Sequence, residues 1–304
     1  MTNRFSNHQS KGMNMTISKP GSAIVLLFSM FAFFLILTPI LTGFLGGLFK
    51  KPEAALRISM VVQDLLVFII PALVTALVST RLPARLLAVD VRPACNQLFL
   101  ALLALLCSVP AMNLIISWNE GIHLPESMAG VEATLRALEK NAADVTEMLM
   151  AGASVPSLIV SVLIIGVLAG FSEELFFRGA LQRMVMMTKL NAHAAIWLVA
   201  FLFSLFHFQF FGFVPRMLLG AFFGYLLWWS GSLWIPVAVH MFNNALVVCS
   251  TWYSANHPDS EFSADSIGVD VSSPGSVIIV AMSVLLTALA IYFVRKSALR
   301  ERRG

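Results

Sequence analysis

Long apolar runs separated by short polar stretches dominate this chain. They lie near 22–48, 58–79, 97–117, 157–188, 192–212, 214–230, 232–252 and 275–295, and most are long enough to cross about 30 Å of hydrocarbon. Apolar residues fill the runs without the strict alternation of a strand. Backbone groups in lipid pair only within helices or closed barrels, so continuous runs select helices. The pattern predicts an all-α, polytopic transmembrane helix bundle of about eight spans. Between the third and fourth runs, residues 131–150 (VEATLRALEKNAADVTEMLM) carry a helical period of apolar and charged positions. This predicts an amphipathic helix on the outer surface, within the 118–156 loop. The chain divides into a polar arm at 1–21, N-terminal spans and an outer loop at 22–156, a core at 157–252, and a loop, last span and basic tail at 253–304. No repeat of fixed period is visible.

Composition sharpens this picture. Of 304 residues, 58% are hydrophobic and 12% charged, against about 25% charged in soluble domains. The net charge of +4 does not point to nucleic acid, because Arg295, Lys296, Arg300, Arg302 and Arg303 crowd the end of an apolar run, which is a topology signal. In an eight-span arrangement this tail, the arm with Arg4, Lys11 and Lys19, and the loop with Arg81, Arg85 and Arg92 share one side. That side is expected to be cytoplasmic, with both termini there. The opposite loops are acidic, with Glu120, Glu126, Glu132, Glu139, Asp144 and Glu147 in one and Asp259, Glu261, Asp265 and Asp270 in the other. Lys50, Lys51 and Arg57 fall on the outer side, against the rule. The run 22–48 exceeds a signal-peptide core and reads as a retained first span. Cys95, Cys107 and Cys249 have no CxxC pairing, so they indicate neither disulfides nor a thiolate zinc site and read as core residues.

Charged groups inside spans cost at least about 2.5 to 3.5 kcal/mol each at the bilayer centre. Here they cluster. Glu173, Glu174 and Arg178 lie in GFSEELFFRGALQ, His207 in FSLFHFQF, and His240, Asn243 and Asn244 in PVAVHMFNN. Asp64 is an isolated extra, read with Gln63 as a polar contact packing the second span against this cluster. Glu174 and Arg178 stand four apart in the favourable order for a helical ion pair. Glu173 then points about 100° away, toward the bundle interior. His240 and Asn244 share one helix face. Counting from a turn near Leu190, Glu173 and His207 each lie roughly 25 Å along antiparallel helices and reach one height. Asn244, counted from a turn near Gly231, lies roughly 20 Å along its helix, nearer the cytoplasmic face. His8, His123, His193 and His257 read as solvated or structural, and Arg216 as an interface anchor.

A buried glutamate beside a histidine can take a proton from water, which then attacks a peptide carbonyl, while neighbouring donors hold the oxyanion. Glu173 and His207 suit the first role, and His240 and Asn244 the second. Glu173, His207 and His240 would also make a three-ligand site with an open position for a divalent metal such as zinc. A structural polar cluster, as in a non-catalytic immunity or scaffold protein, is the first competing reading. A proton-coupled transporter is the second, although no inverted repeat with paired broken helices is evident.

Three motifs occur in order: Glu173-Glu174-Leu-Phe-Phe-Arg178, Phe203-Ser-Leu-Phe-His207, and His240-Met-Phe-Asn-Asn244. With the FRGALQ continuation and the GSLWIPVAVH lead-in, they resemble the CPBP family of intramembrane proteases, also called the Abi or CAAX-protease family. The likeness covers roughly 157–252. It implies an endopeptidase in which Glu173 and His207 activate water, His240 and Asn244 hold the oxyanion, and Glu174 and Arg178 support the site. Members named metalloproteases keep the metal alternative open. The implied partners are membrane lipid and a peptide or lipidated-protein substrate, and the implied location is a bacterial cytoplasmic membrane.

Overall fold

A computed structural model describes residues 17, 19–49, 51–150, 154–257, 266–270 and 272–301. Most of the 1–21 arm, and Lys50, Asp259, Glu261, Asp265, Arg302 and Arg303, lie outside the described residues. Regular structure among the described residues is entirely helical. Among the described residues the fold is carried by the long helices α1 (Pro20–Gly46), α2 (Pro52–Ser79), α3 (Cys95–Glu120), α4 (Ala129–Met150), α5 (Val155–Met186), α6 (Ala192–Leu205), α7 (Phe213–Ser230), α8 (Trp234–Asn256) and α9 (Pro274–Glu301). All except α4 and α6 are, with the turn before α7 counted in, long and apolar enough to cross a membrane. The chain is therefore a multi-pass bundle.

Local chemistry sets the helix ends. Pro20 and Pro52 open α1 and α2, where the missing amide hydrogen costs nothing. Asn191 caps α6 by accepting from the Ala194 amide at 2.9 Å, and Gly231, at φ 74°, closes α7 in the left-handed conformation. The bundle has two chemically distinct ends. At one, the Leu233 amide donates to Ala88 O, Arg183 Nη2 donates to Arg85 O, and Gln97 Nε2 donates to Glu301 Oε2. This gathers the 80–94 loop, the α7–α8 turn and the end of α9, with Arg81, Arg85, Arg92, Arg295, Lys296 and Arg300. At the other, α4 lies across the ends of its neighbours. Arg57, which broke the charge rule, is spent there: its Nη2 donates to Leu149 O at 3.1 Å and to Ser157 Oγ at 2.7 Å.

The expected fifth span, 192–212, is corrected. Helix α6 stops at Leu205 after 14 residues, about 21 Å, and the chain turns through Phe208, at φ 54°. The stretch stays apolar, but irregular backbone at this depth is tolerated when protein groups satisfy it. They do so here. Asn119 Nδ2 donates to Phe210 O at 3.3 Å, and its Oδ1 accepts from the Val214 amide at 2.8 Å. Glu139 Oε2 accepts from the Phe211 amide at 3.1 Å, and Ser204 Oγ donates to Phe213 O at 2.7 Å. The cysteine expectation is corrected as well, since Cys95 and Cys249 are exposed.

Glycines let the helices meet closely. A Cβ on Gly170 would lie 3.2 Å from the Met241 backbone, and one on Gly166 would lie 3.5 Å from Ala245. One on Gly224 would lie 2.7 Å from Gln182 Oε1. Gly166 and Gly170, like Gly220 and Gly224, stand four apart, the small-residue spacing that brings membrane helices together. Apolar side chains cover the outside: Phe44 is 74% exposed and Ile278 63%, as lipid-facing positions require.

Gly170→Ala is expected to destabilise the protein by about 1 to 3 kcal/mol through overpacking. Gly43→Ala, with nothing within 4 Å of the added atom, should not lower stability. Unfolding midpoints in one detergent compare the two. On the α4 side, Glu132 Oε2 accepts from the Leu124 amide at 2.7 Å, and Oε1 from Arg136 Nε at 2.8 Å. These bonds, the backbone one foremost, lower its carboxyl from 4.5 to about 2. A depressed folded value means the contribution is complete above about 4.5 and is lost as pH falls toward 2. The Leu124 amide chemical shift should report that step, and Glu132→Gln should abolish it.

Candidate active site

The centre of the site is a shared oxygen. Glu174 Oε1 lies 2.8 Å from Arg178 Nη1 and 2.8 Å from His240 Nδ1, and neither Glu174 nor Arg178 has any exposed side-chain surface. The pair at i and i+4 is the one the spacing predicted. Aromatic faces and a helix backbone complete its enclosure. Arg178 Cζ sits 4.4 Å from the Phe203 ring centroid and 5.4 Å from that of Phe223, and Nη2 donates to Gly220 O at 3.0 Å. One turn on, Gln182 Nε2 donates to Gly224 O at 2.9 Å. Two side chains four apart on α5 thus hold two carbonyls four apart on α7. A Cβ at Gly220 would lie 3.3 Å from Arg178 Nη2, so this contact depends on glycine.

His240 is oriented by that pair. With Nδ1 facing a carboxylate, Nδ1 carries the hydrogen and Nε2 points elsewhere. The ring stacks on Phe223 with centroids 4.8 Å apart. Nε2 lies 3.8 Å from Glu173 Oε2, beyond a direct hydrogen bond. Glu173, next to Glu174 but on another helix face, keeps 15% of its side chain exposed. His207 follows the same scheme. Its Nδ1 lies 2.7 Å from Phe203 O, so it donates there and leaves Nε2 uncommitted. It interacts electrostatically with Glu173 and His240. The structure therefore brings Glu173, Glu174, Arg178, His207 and His240 to one place, although His207 sits in the turn after α6 rather than within a span.

Asn244 differs from expectation. Helices α5 and α8 run antiparallel, and Asn244 Nδ2 donates to Ile165 O at 3.2 Å. Asn244 thus lies a turn beyond His240 toward the α4 end, not the basic end. The depth count placed it otherwise because it assumed all turns at one level. Asp64 does pack against the site: its Oδ1 accepts from Ser172 Oγ at 3.1 Å, and it is buried at 4% exposure. Arg216 is not a snorkelling anchor. Its guanidinium is turned toward the site and interacts electrostatically with Glu173 and His207. Sequence reasoning missed Gln182 and the Gly220 and Gly224 pair. The GxxxG spacing was the available signal. Among the described residues, no three His, Cys, Asp or Glu side chains are gathered as a metal-ligand set.

Residues 155–246 match the family model described as Type II CAAX prenyl endopeptidase Rce1-like. The matched segment contains all three motifs and agrees with the CPBP resemblance. A similar curated protein is the uncharacterized protein YpbD of Bacillus subtilis (strain 168), 27% identical over 100 residues. That alignment covers 32% of this chain and 46% of the relative, so the chain spans less than half of the relative's length. No solved structure matches the chain significantly.

Arg178→Met would leave Glu174 buried without its cation. It is expected to cost about 3 to 5 kcal/mol of stability, and the double variant Glu174→Gln with Arg178→Met should recover much of that loss. Denaturation in detergent of the two single variants and the double variant measures the coupling.

Proposed function

We propose that the chain is an intramembrane endopeptidase in which Glu173 activates water for attack on a peptide bond of a membrane-associated substrate. The observation that carries this is the Glu173 carboxylate set 3.8 Å from Nε2 of a histidine whose other nitrogen is fixed by a buried ion pair. A polar gap of that size is suited to a bridging water. Glu173 takes the water's proton, and the hydroxide oxygen bonds to the carbonyl carbon. His207, pinned through Nδ1, orients the water from Nε2. The tetrahedral oxyanion then needs donors. With its Nδ1 hydrogen spent on Glu174, His240 faces the oxyanion through Nε2, which donates there only when it carries a proton. Asn244 contributes the second hydrogen of its amide, the first holding Ile165 O. Collapse of the intermediate breaks the C–N bond, and the proton on Glu173 passes to the leaving amine.

Peptide or lipidated-protein substrates embedded in lipid suit a site at this position in the bundle. The grouping of Arg81, Arg85, Arg92 and the α9 basic residues at one end supports a cytoplasmic placement of that end and of both termini. By family analogy the membrane is the bacterial cytoplasmic membrane.

In purified protein, Glu173→Ala and His207→Ala are each expected to lower kcat/KM for a membrane-peptide substrate by about 10²-fold or more. Turnover equal to wild type in both variants would remove the assigned roles. Because the proposed route uses no metal, 1,10-phenanthroline should leave turnover intact. Loss under the chelator with recovery on added zinc would replace this route with the metal-dependent one.

A further inference from the structure

Arg216 is a cation at the site that, among the described residues, is in no ion pair. Its Nη2 donates to Gln209 Oε1 at 2.6 Å, and its Nη1 donates to Gln209 O at 3.4 Å. Both partners are neutral. Among the described residues no carboxylate forms an ion pair with it, while Glu139 and Glu173 act on it through space. Each nearby acid already has other work. Glu139 holds the Phe211 amide, Glu174 is shared by Arg178 and His240, and Glu173 is the group that must exchange a proton with water. A half-buried guanidinium inside an apolar bundle is costly unless an anion meets it. The neighbouring backbone is shaped to admit it: a Cβ on Gly212 would lie 2.8 Å from Nη2 and 3.4 Å from Cζ. The loop carrying His207 therefore folds around this side chain while Asn119 and Glu139 hold it from outside.

We propose that Arg216 binds a carboxylate of the substrate close to the scissile bond, an inference that rests on the peptidase reading. The guanidinium fork matches a carboxylate in two-point geometry, and donors remain beyond the two given to Gln209. It also offsets the repulsion that a second anion beside Glu173 would otherwise meet. The carboxylate comes either from a free chain terminus or from an acidic side chain, and peptide design separates these sources.

The test uses the full-length chain in lipid nanodiscs, carrying Glu173→Gln so that nothing is turned over. Three labelled probes are titrated: an apolar hexapeptide with a free C-terminal carboxylate, its C-terminal amide, and the amide bearing one internal glutamate. At least one carboxylate probe should bind about tenfold more tightly than the plain amide, as a charge-assisted bidentate contact requires. That ratio should collapse to about one in the Glu173→Gln, Arg216→Gln double variant. The ratio is internal to each protein, so partial unfolding does not mimic its loss. Equal binding of all probes to the Glu173→Gln chain, absence of binding included, or a preference that survives Arg216→Gln, would overturn the assignment. The peptidase reading fails by a different result, full turnover in Glu173→Ala.

Discussion

An ion pair sealed from both water and lipid organises this protein. Glu174 and Arg178 have no exposed side-chain surface, and in such surroundings each charge is tolerable only beside the other. Three helices meet on the pair: α5 supplies it, α7 offers Gly220 O, and α8 brings His240. Replacement by apolar side chains of similar volume would be nearly neutral in energy or better. What the pair contributes is orientation. It fixes which nitrogen of His240 carries hydrogen, and it engages one of two adjacent carboxylates while the other, Glu173, stays outside the pair with 15% of its side chain exposed.

The helices bearing these groups are not regular. Segment Gly170–Glu174 of α5 is flanked by π-helical stretches at Val162–Ala169 and Leu175–Gln182, and α2 is π-helical over Asp64–Ile69. Such irregular turns recur at functional positions. Here they coincide with the contact between Asp64 and Ser172. The irregular turn after α6 belongs to the same design. His207 stands in a turn that lipid could not accommodate unaided, and side chains from α3, α4, α6 and α7 close its backbone bonds. The surface helix α4 is thus tied directly to the segment that carries a candidate catalytic histidine.

Much of this was legible along the chain, because bilayer physics writes strong signals. Apolar runs declared the helices, and the i, i+4 spacing declared the Glu174–Arg178 pair. The period of 131–150 declared the surface helix, observed at Ala129–Met150. What failed did so for a common reason. The end of α6 at Leu205, the level of Asn244 and the direction of Arg216 are set by partners 7 to 95 residues away. Hydropathy is a property of a window and holds no record of those partners.

The sequence alone determined that this chain fills a membrane with helices and which few polar residues must find one another there, since an ionisable group in hydrocarbon has no local alternative. Only the tertiary structure decided how the roles divide: Glu174 to the guanidinium, Glu173 to the open gap, Asn244 partly to Ile165 O, Arg216 inward. Those choices rest on distances between helices, which close-packed glycines and irregular turns set and a linear pattern does not contain.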